Sequence, residues 1–80
     1  MSDFAKNLYY YRKKRGLTQA KLGEKINYGH TAIANYESGR NEPSFDVLIA
    51  LANILCVTVD DLLGVPLSDQ EKVLLSYFRG

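Results

Sequence analysis

The stretch that decides the fold is residues 17–40, LTQAKLGEKINYGHTAIANYESGR. The Thr18 side chain can accept hydrogen bonds from backbone N–H groups two and three residues later, which is typical of a helix start. Apolar side chains then recur at helical spacing. The Asn-Tyr-Gly tripeptide at 27–29 tolerates the backbone conformation of a sharp turn. The stretch therefore predicts two short helices, residues 19–26 and 30–37, joined by a tight turn.

The second of these helices carries polar side chains on one face. Its spacing buries Ile33 and Tyr36 and turns His30, Thr31 and Asn35 outward. Asn can pair with adenine through two hydrogen bonds, Thr can contact thymine, and His can donate to guanine. A short exposed helix of this kind, held by a helix packed across it, suits recognition in the DNA major groove. The alternative for His30 is an unpartnered surface histidine, and a single His is no evidence for metal or catalysis.

The rest of the chain extends the helical pattern. Apolar spacing predicts a first helix over residues 3–15 with Ser2 as its cap. Ser44 and Thr58 predict the starts of a fourth and a fifth helix. The expected apolar stripe of the fourth helix comprises Phe45, Leu48, Leu51, Ala52 and Leu55. A capping box at 68–71 opens a sixth helix. Since no segment alternates as a strand would, the fold class is all-α.

Composition excludes several classes of protein. Eighty residues make one small domain, and 46% hydrophobic content is ordinary for a globular chain. No apolar run is long enough for a membrane span and no signal-like segment is present, so a cytoplasmic protein without membrane contact is expected. Cys56 is the single cysteine, which excludes an internal disulfide and a zinc cluster. No metal or other cofactor is expected.

The formal net charge of +1 conceals an asymmetry. Residues 1–40 hold eight basic and three acidic side chains, a net +5, whereas residues 41–80 hold two basic and six acidic, a net −4. Attraction to phosphate needs a basic face and not a basic total. The alternative is a solvated surface on which charges happen to cluster.

Four pieces of sequence, in order, carry a resemblance to a known family: 15–19 (RGLTQ), 36–40 (YESGR), 43–45 (PSF) and 55–64 (LCVTVDDLLG). Together they resemble the helix-turn-helix of the phage-repressor-like (Cro/Xre-type) DNA-binding domains, from about Phe4 to Gly64. The resemblance implies a compact five-helix repressor-like DNA-binding domain at residues 1–64. Residues 65–80 would form an additional C-terminal helix for packing or dimerisation.

The resemblance also implies a set of DNA-binding residues and one structural pair. Gln19 would contact a backbone phosphate and hydrogen-bond toward the recognition helix, while Ser44 would offer a hydroxyl at a helix start, a position that binds phosphate. The alternatives are a soluble first-turn residue for Gln19 and a plain cap for Ser44. An ion pair between Arg12 and Glu37 would fix the recognition helix against the first helix. The full DNA-binding set is Gln19, His30, Thr31, Asn35, Arg40, Asn41 and Ser44.

Three features depart from the family pattern or from ordinary composition. Gly23 replaces the usual alanine where the second and third helices cross, and would let them approach. Cys56 replaces the expected glycine, so it adopts a strained φ or the helix ends differently; a buried inert thiol is expected rather than a redox sensor. Tyr9, Tyr10 and Tyr11 cannot all be core. Tyr11 is expected to be buried, and the hydroxyl of Tyr9 or Tyr10 to reach a phosphate.

The resulting hypothesis is a transcriptional regulator, acting as a repressor, that binds double-stranded DNA without catalysis. A homodimer is expected, with part of the C-terminal helix forming a two-fold contact; the dimerisation residues would be Leu67, Leu74, Tyr77 and Phe78. One alternative is an antitoxin or restriction-modification controller of the same fold with a protein partner. Another is a protein-interaction module that no longer binds DNA. An enzyme is disfavoured because the sequence contains no nucleophile–base pair, metal cluster or Gly-rich phosphate loop.

Overall fold

The computed structural model describes residues 3–64, and every regular element in that range is a helix. The helices are α1 (Phe4–Lys14), α2 (Gln19–Lys25), α3 (His30–Glu37), α4 (Phe45–Leu55) and α5 (Val59–Leu63). The all-α prediction is therefore confirmed. The predicted Ser2 cap and the sixth helix, with Leu67, Leu74, Tyr77 and Phe78, lie outside the described residues.

Three helices begin at the hydroxyl residues that the sequence indicated. Thr18, Ser44 and Thr58 each accept a hydrogen bond from the backbone N–H three residues later. Thr58 also forms a reciprocal capping box, since the side chain of Asp61 accepts from its backbone N–H. These caps satisfy backbone donors that a helix start would otherwise leave unpaired. The observed α1 is one residue shorter than predicted at each end, and α2 ends one residue earlier than predicted.

The core lies between the helices and leaves one face of α3 uncovered. Both α1 and α2 pack against α3, while α5 packs against α1 and α4. Ile33 and Tyr36 are the buried side chains of α3, as predicted. Burying an aliphatic side chain of this size contributes roughly 1.5–3 kcal/mol relative to exposure. The core comprises Phe4, Leu8, Leu22, Ile33, Tyr36, Val47, Leu48, Leu51, Ala52, Leu55 and Leu62.

Gly23 is the point at which the turn between α2 and α3 folds back onto α2. The backbone N–H of Tyr28 donates to the carbonyl of Gly23 at 2.7 Å. A Cβ atom on Gly23 would lie 2.7 Å from the carbonyl oxygens of both Tyr28 and Gly29. A Cβ here would require the backbone of the turn to move, so in this chain the close approach of the turn to α2 depends on glycine, where the resemblance implies alanine.

Three side chains are less buried than the sequence predicts. Phe45, the first residue of α4, is 82% exposed and does not join the core that buries the other four residues of the apolar stripe. Cys56 is exposed and ends α4 in the left-handed conformation at φ 58°, which turns its side chain away from the core. The prediction of a buried thiol was therefore wrong, and the strained-φ alternative holds. Tyr11 is half-buried rather than buried, packed against the edge of the core.

The end of α5 lies against the start of α1. Gly64 caps α5 with φ 65°, and the side-chain amide of Asn7 donates to the carbonyl of Leu62 at 3.1 Å. A Cβ on Gly64 would lie 2.7 Å from the Cβ of Asp3. The start of α1 and the end of α5 are thus held together by this hydrogen bond and close contact. None of the described helices has the length and hydropathy to cross a membrane.

Candidate nucleic-acid interface

A buried ion pair connects α1 to the end of α3. The guanidinium of Arg12 donates to both carboxylate oxygens of Glu37, with 3.1 Å between Nη2 and Oε1. The two side chains are only 8% and 7% exposed. Arg12 also donates through Nη1 to the backbone carbonyl of Leu17 at 2.8 Å. This acceptor was not predicted from the sequence, because the pattern of side chains gives no information on backbone partners. Because both charges are removed from water, the pair holds only through this complete set of hydrogen bonds.

Gln19 joins the same carboxylate from the first position of α2. Its side-chain Nε2 donates to Oε1 of Glu37 at 3.0 Å. The side chain is half-buried, and its amide retains a second N–H and an acceptor oxygen. Glu37 therefore connects α3 to α1 through Arg12 and to α2 through Gln19.

The outer face of α3 presents polar side chains with no internal role. His30 and Thr31 are exposed and Asn35 is half-buried. Among residues 3–64, none of the three side chains has a hydrogen-bond or ion-pair partner. On the inner face, burial raises the pKa of the Tyr36 hydroxyl and the nearby Tyr28 raises it further. The helix thus has one anchored face and one face free to contact a ligand.

The loop after α3 is held by the backbone carbonyl of Asn35. That oxygen accepts from the N–H of Arg40 at 3.0 Å, from the N–H of Asn41 at 3.3 Å and from the hydroxyl of Ser38 at 3.0 Å. Gly39 makes the required bend at φ 79°. Arg40 and Asn41 are exposed, so their side chains project from a loop whose backbone is fixed.

Ser44 stands at the start of α4 and is exposed. Its Oγ accepts from the backbone N–H of Val47 at 3.4 Å, which makes it a helix cap. Its hydroxyl hydrogen remains available for donation, so the capping role and a phosphate contact are compatible. Asp46 places a carboxylate in the same helical turn.

Two arginines of the basic half of the chain have hydrogen-bond partners within the protein. Arg12 is used by Glu37, and Arg15 donates through Nε to the carbonyl of Leu55 at 2.9 Å. Arg15 therefore satisfies the end of α4, where Cys56 turns the chain, and lies with Lys14 along a groove of about 250 Å³ on that side. Charge counting cannot detect such internal partners. Within residues 3–64 no group of His, Cys, Asp and Glu side chains is placed to hold a metal ion.

The chain is similar to known helix-turn-helix proteins. The family model described as helix-turn-helix matches residues 8–69. The HTH-type transcriptional regulator ImmR of Bacillus subtilis is 41% identical over 62 residues, which are 78% of this chain and 49% of the relative. The cryptic phage CTXphi transcriptional repressor RstR of Vibrio cholerae is 31% identical over 64 residues, 80% of this chain and 57% of the relative. The chain spans about half the length of the curated relatives it matches.

Solved structures show the same arrangement of helices. The P22 c2 repressor in complex with a synthetic operator superimposes with a TM-score of 0.71 at 30% identity, covering 74% of this chain and 89% of that one. A transcriptional regulator from Listeria innocua gives a TM-score of 0.73 at 29% identity, covering 96% and 77%.

Proposed function

This chain belongs to the helix-turn-helix family, in its phage-repressor-like (Cro/Xre-type) form, and we propose that it is a sequence-specific DNA-binding transcriptional regulator. The observation that carries the proposal is the arrangement of α3. Glu37 links the helix to α1 and α2, while its opposite face presents polar side chains that have no hydrogen-bond partner among residues 3–64. A rigid helix with an unpartnered polar face is what direct recognition of base edges requires.

The proposed contacts divide into two kinds. His30, Thr31 and Asn35 contact base edges in the major groove and determine sequence preference. The backbone contacts come from Gln19, Arg40, Asn41 and Ser44, which position the domain without reading sequence. The P22 c2 repressor, to which this chain is similar, was solved with a synthetic operator, and this similarity supports the assignment.

In this proposal the protein represses transcription by occupying a promoter as a homodimer. The residues proposed for the two-fold contact are Leu67, Leu74, Tyr77 and Phe78, which lie outside the residues that the structure describes. A two-fold dimer places its recognition helices about 34 Å apart, one turn of DNA, and implies a pseudo-palindromic operator. Sedimentation of the full chain at about 100 μM, against a truncation after Gly64, tests this arrangement. A monomeric full chain, or a truncation that still dimerises, would remove 65–80 from the interface.

Selection of bound sequences from a random DNA pool tests the function directly. We expect an enriched motif with two related half-sites separated by about one helical turn. Affinity for the enriched duplex should fall tenfold or more between about 50 and 200 mM salt, because phosphate contacts release counterions. An unenriched pool with salt-independent binding would contradict the proposal and favour a protein-interaction module.

A further inference from the structure

A groove of about 250 Å³, the α1–α4 groove, lies between the end of α1 and the end of α4. Its lining residues are Tyr11, Lys14, Arg15, Leu55, Cys56 and Val57. None of the side chains proposed to contact DNA lines it. Sites that enclose a whole small molecule usually measure roughly 300–1,000 Å³, so a groove of this size suits a few side chains of a larger ligand.

The groove presents an arginine that is already held in place. The exposed side chain of Arg15 donates through Nε to the carbonyl of Leu55 at 2.9 Å. Because this bond orders the planar guanidinium, little conformational freedom remains to be lost when its two terminal nitrogens bind a ligand. These nitrogens, Nη1 and Nη2, have no hydrogen-bond partner among residues 3–64. Two parallel N–H donors of this kind match the two oxygens of a carboxylate.

The charge of the groove is positive throughout. Lys14 lies beside Arg15 and is also exposed. No Asp or Glu lines the groove, and neither cation has an ion-pair partner among residues 3–64. A cleft lined by one sign of charge concentrates groups of the opposite sign, so this groove attracts anionic groups.

An apolar surface adjoins the two cations. The ring of Tyr10 is 56% exposed, and its centroid lies 5.7 Å from the Nζ of Lys14 and 5.0 Å from that of the Tyr11 ring. Val57 lines the groove from the turn after α4 and is half-buried. Tyr and Arg are enriched in protein–protein interfaces. A nucleic-acid backbone has no apolar side chain to cover this surface, whereas a peptide can place one beside a carboxylate.

We propose that the α1–α4 groove binds an acidic peptide segment of a partner protein. A carboxylate of the segment accepts hydrogen bonds from Nη1 and Nη2 of Arg15 and pairs with the ammonium group of Lys14. A neighbouring apolar side chain of the segment packs on the ring of Tyr10 and on Val57. The contact is independent of the proposed function, because none of these residues is assigned to DNA.

Cys56 provides a direct measurement of occupancy, since it is the single cysteine of the chain, is exposed and lines the groove. The probe is a peptide that the full chain selects from a random-peptide display library. We expect the selected sequences to place Asp or Glu next to an aromatic or aliphatic residue. At about ten times its Kd the peptide should slow alkylation of Cys56 by iodoacetamide roughly tenfold, because about nine molecules in ten are then occupied.

Lys14→Glu and Lys13→Glu form a matched pair. Each reverses a charge at an exposed position of α1, but only Lys14 lines the groove. We expect Lys14→Glu to weaken peptide binding about tenfold at about 0.1 M salt, because repulsion replaces attraction, and Lys13→Glu to weaken it about twofold or less, because its charge acts from outside the groove through screening solvent. Thermal unfolding of both variants checks that the fold is intact.

Several results would overturn the proposal. The library would yield no acidic sequence, the selected peptide would leave alkylation of Cys56 unchanged, or the two lysine variants would bind it equally. Protection of Cys56 by duplex DNA would assign the groove to nucleic acid instead. Protection that rises with the concentration of the chain alone would assign it to a second copy. Binding of the selected DNA by the wild-type chain is measured separately, so the proposed function stands or fails independently of these results.

Discussion

Arg12 and Glu37, 25 positions apart in the chain, form an ion pair buried between α1 and α3. The carboxylate of Glu37 also accepts from Gln19, so three helices share one acceptor group. Loss of that group would leave a buried guanidinium without its counter-charge and α2 without its link to α3. Stability and DNA recognition are therefore expected to depend on the same side chain.

Glu37→Ala should lower the free energy of unfolding by about 3–5 kcal/mol, because it leaves Arg12 buried and unpaired. Replacement of both partners by apolar residues, Arg12→Met with Glu37→Leu, should cost much less, since neither buried charge remains. Urea unfolding of the two variants and the wild-type chain measures this difference. A single substitution no more costly than the double one would show that the pair is not buried as described.

Asn35→Ala should reduce affinity for the selected DNA site by roughly 1–3 kcal/mol and relax preference at one or two base pairs. Gln19→Ala should weaken binding to all sequences by a similar factor, because its proposed contact is to a phosphate. Repeating the selection and the affinity measurement with both variants separates the two roles. An Asn35→Ala variant that binds the selected site as tightly as the wild-type chain would contradict the role given to α3.

Gly23→Ala should destabilise the domain by about 1–3 kcal/mol, because the added Cβ meets two backbone carbonyl oxygens that cannot move independently. Gly29→Ser is the matched control: a Cβ there meets nothing within 4 Å, and Ser is a favourable helix cap. Thermal unfolding should show a clear loss for the first and little change for the second. Equal stabilities of the two variants would show that the backbone of the turn does not sterically exclude a Cβ at position 23.

Cys56→Gly should stabilise the domain by about 0.5–1 kcal/mol. The left-handed conformation costs a residue with a Cβ roughly 1–2 kcal/mol, of which part is offset by the greater freedom of glycine in the unfolded chain. Cys56→Ala keeps the Cβ and should leave stability nearly unchanged, since the thiol is exposed. A glycine variant less stable than the alanine variant in urea unfolding would contradict the left-handed assignment.

Stability should decline as the pH rises above about 10. The Tyr36 hydroxyl has a raised pKa in the folded chain, chiefly through burial and secondarily through Tyr28. The unfolded chain releases this proton first, so alkaline pH favours unfolding until the folded-state pKa is passed. Urea unfolding at increasing pH should show a shallower decline for Tyr36→Phe than for the wild-type chain; identical slopes would exclude Tyr36 as the source.

The local elements of this fold follow from short-range chemistry in the sequence. The bounds of α3, His30–Glu37, were predicted correctly, because a turn-forming tripeptide precedes the helix and Ser38 and Gly39 follow it. The hydroxyl caps of α2, α4 and α5 were predicted because Ser and Thr side chains at a helix start accept hydrogen bonds from backbone N–H groups. The pairing of Arg12 with Glu37 came from the family resemblance, and the structure contains it. The roles of the DNA-contacting side chains remain predictions.

Features that depend on tertiary structure could not be predicted from the local sequence pattern. Periodicity assigned Phe45 to the apolar face of α4, but it carries no information on which residues of that face other helices cover. The exposure of Cys56 depends on a backbone conformation that residue type disfavours. Arg15 was counted with the basic residues, although its partner is a backbone carbonyl 40 positions away. In each case the missing information is tertiary.

The contact of Gly64 with Asp3 and Asn7 has an architectural consequence. Because residues 3 and 64 adjoin, the two ends of the described bundle lie next to each other, where α5 meets α1. Circular permutation exploits the same property: a short linker across this junction should allow new ends to be opened in a surface loop elsewhere.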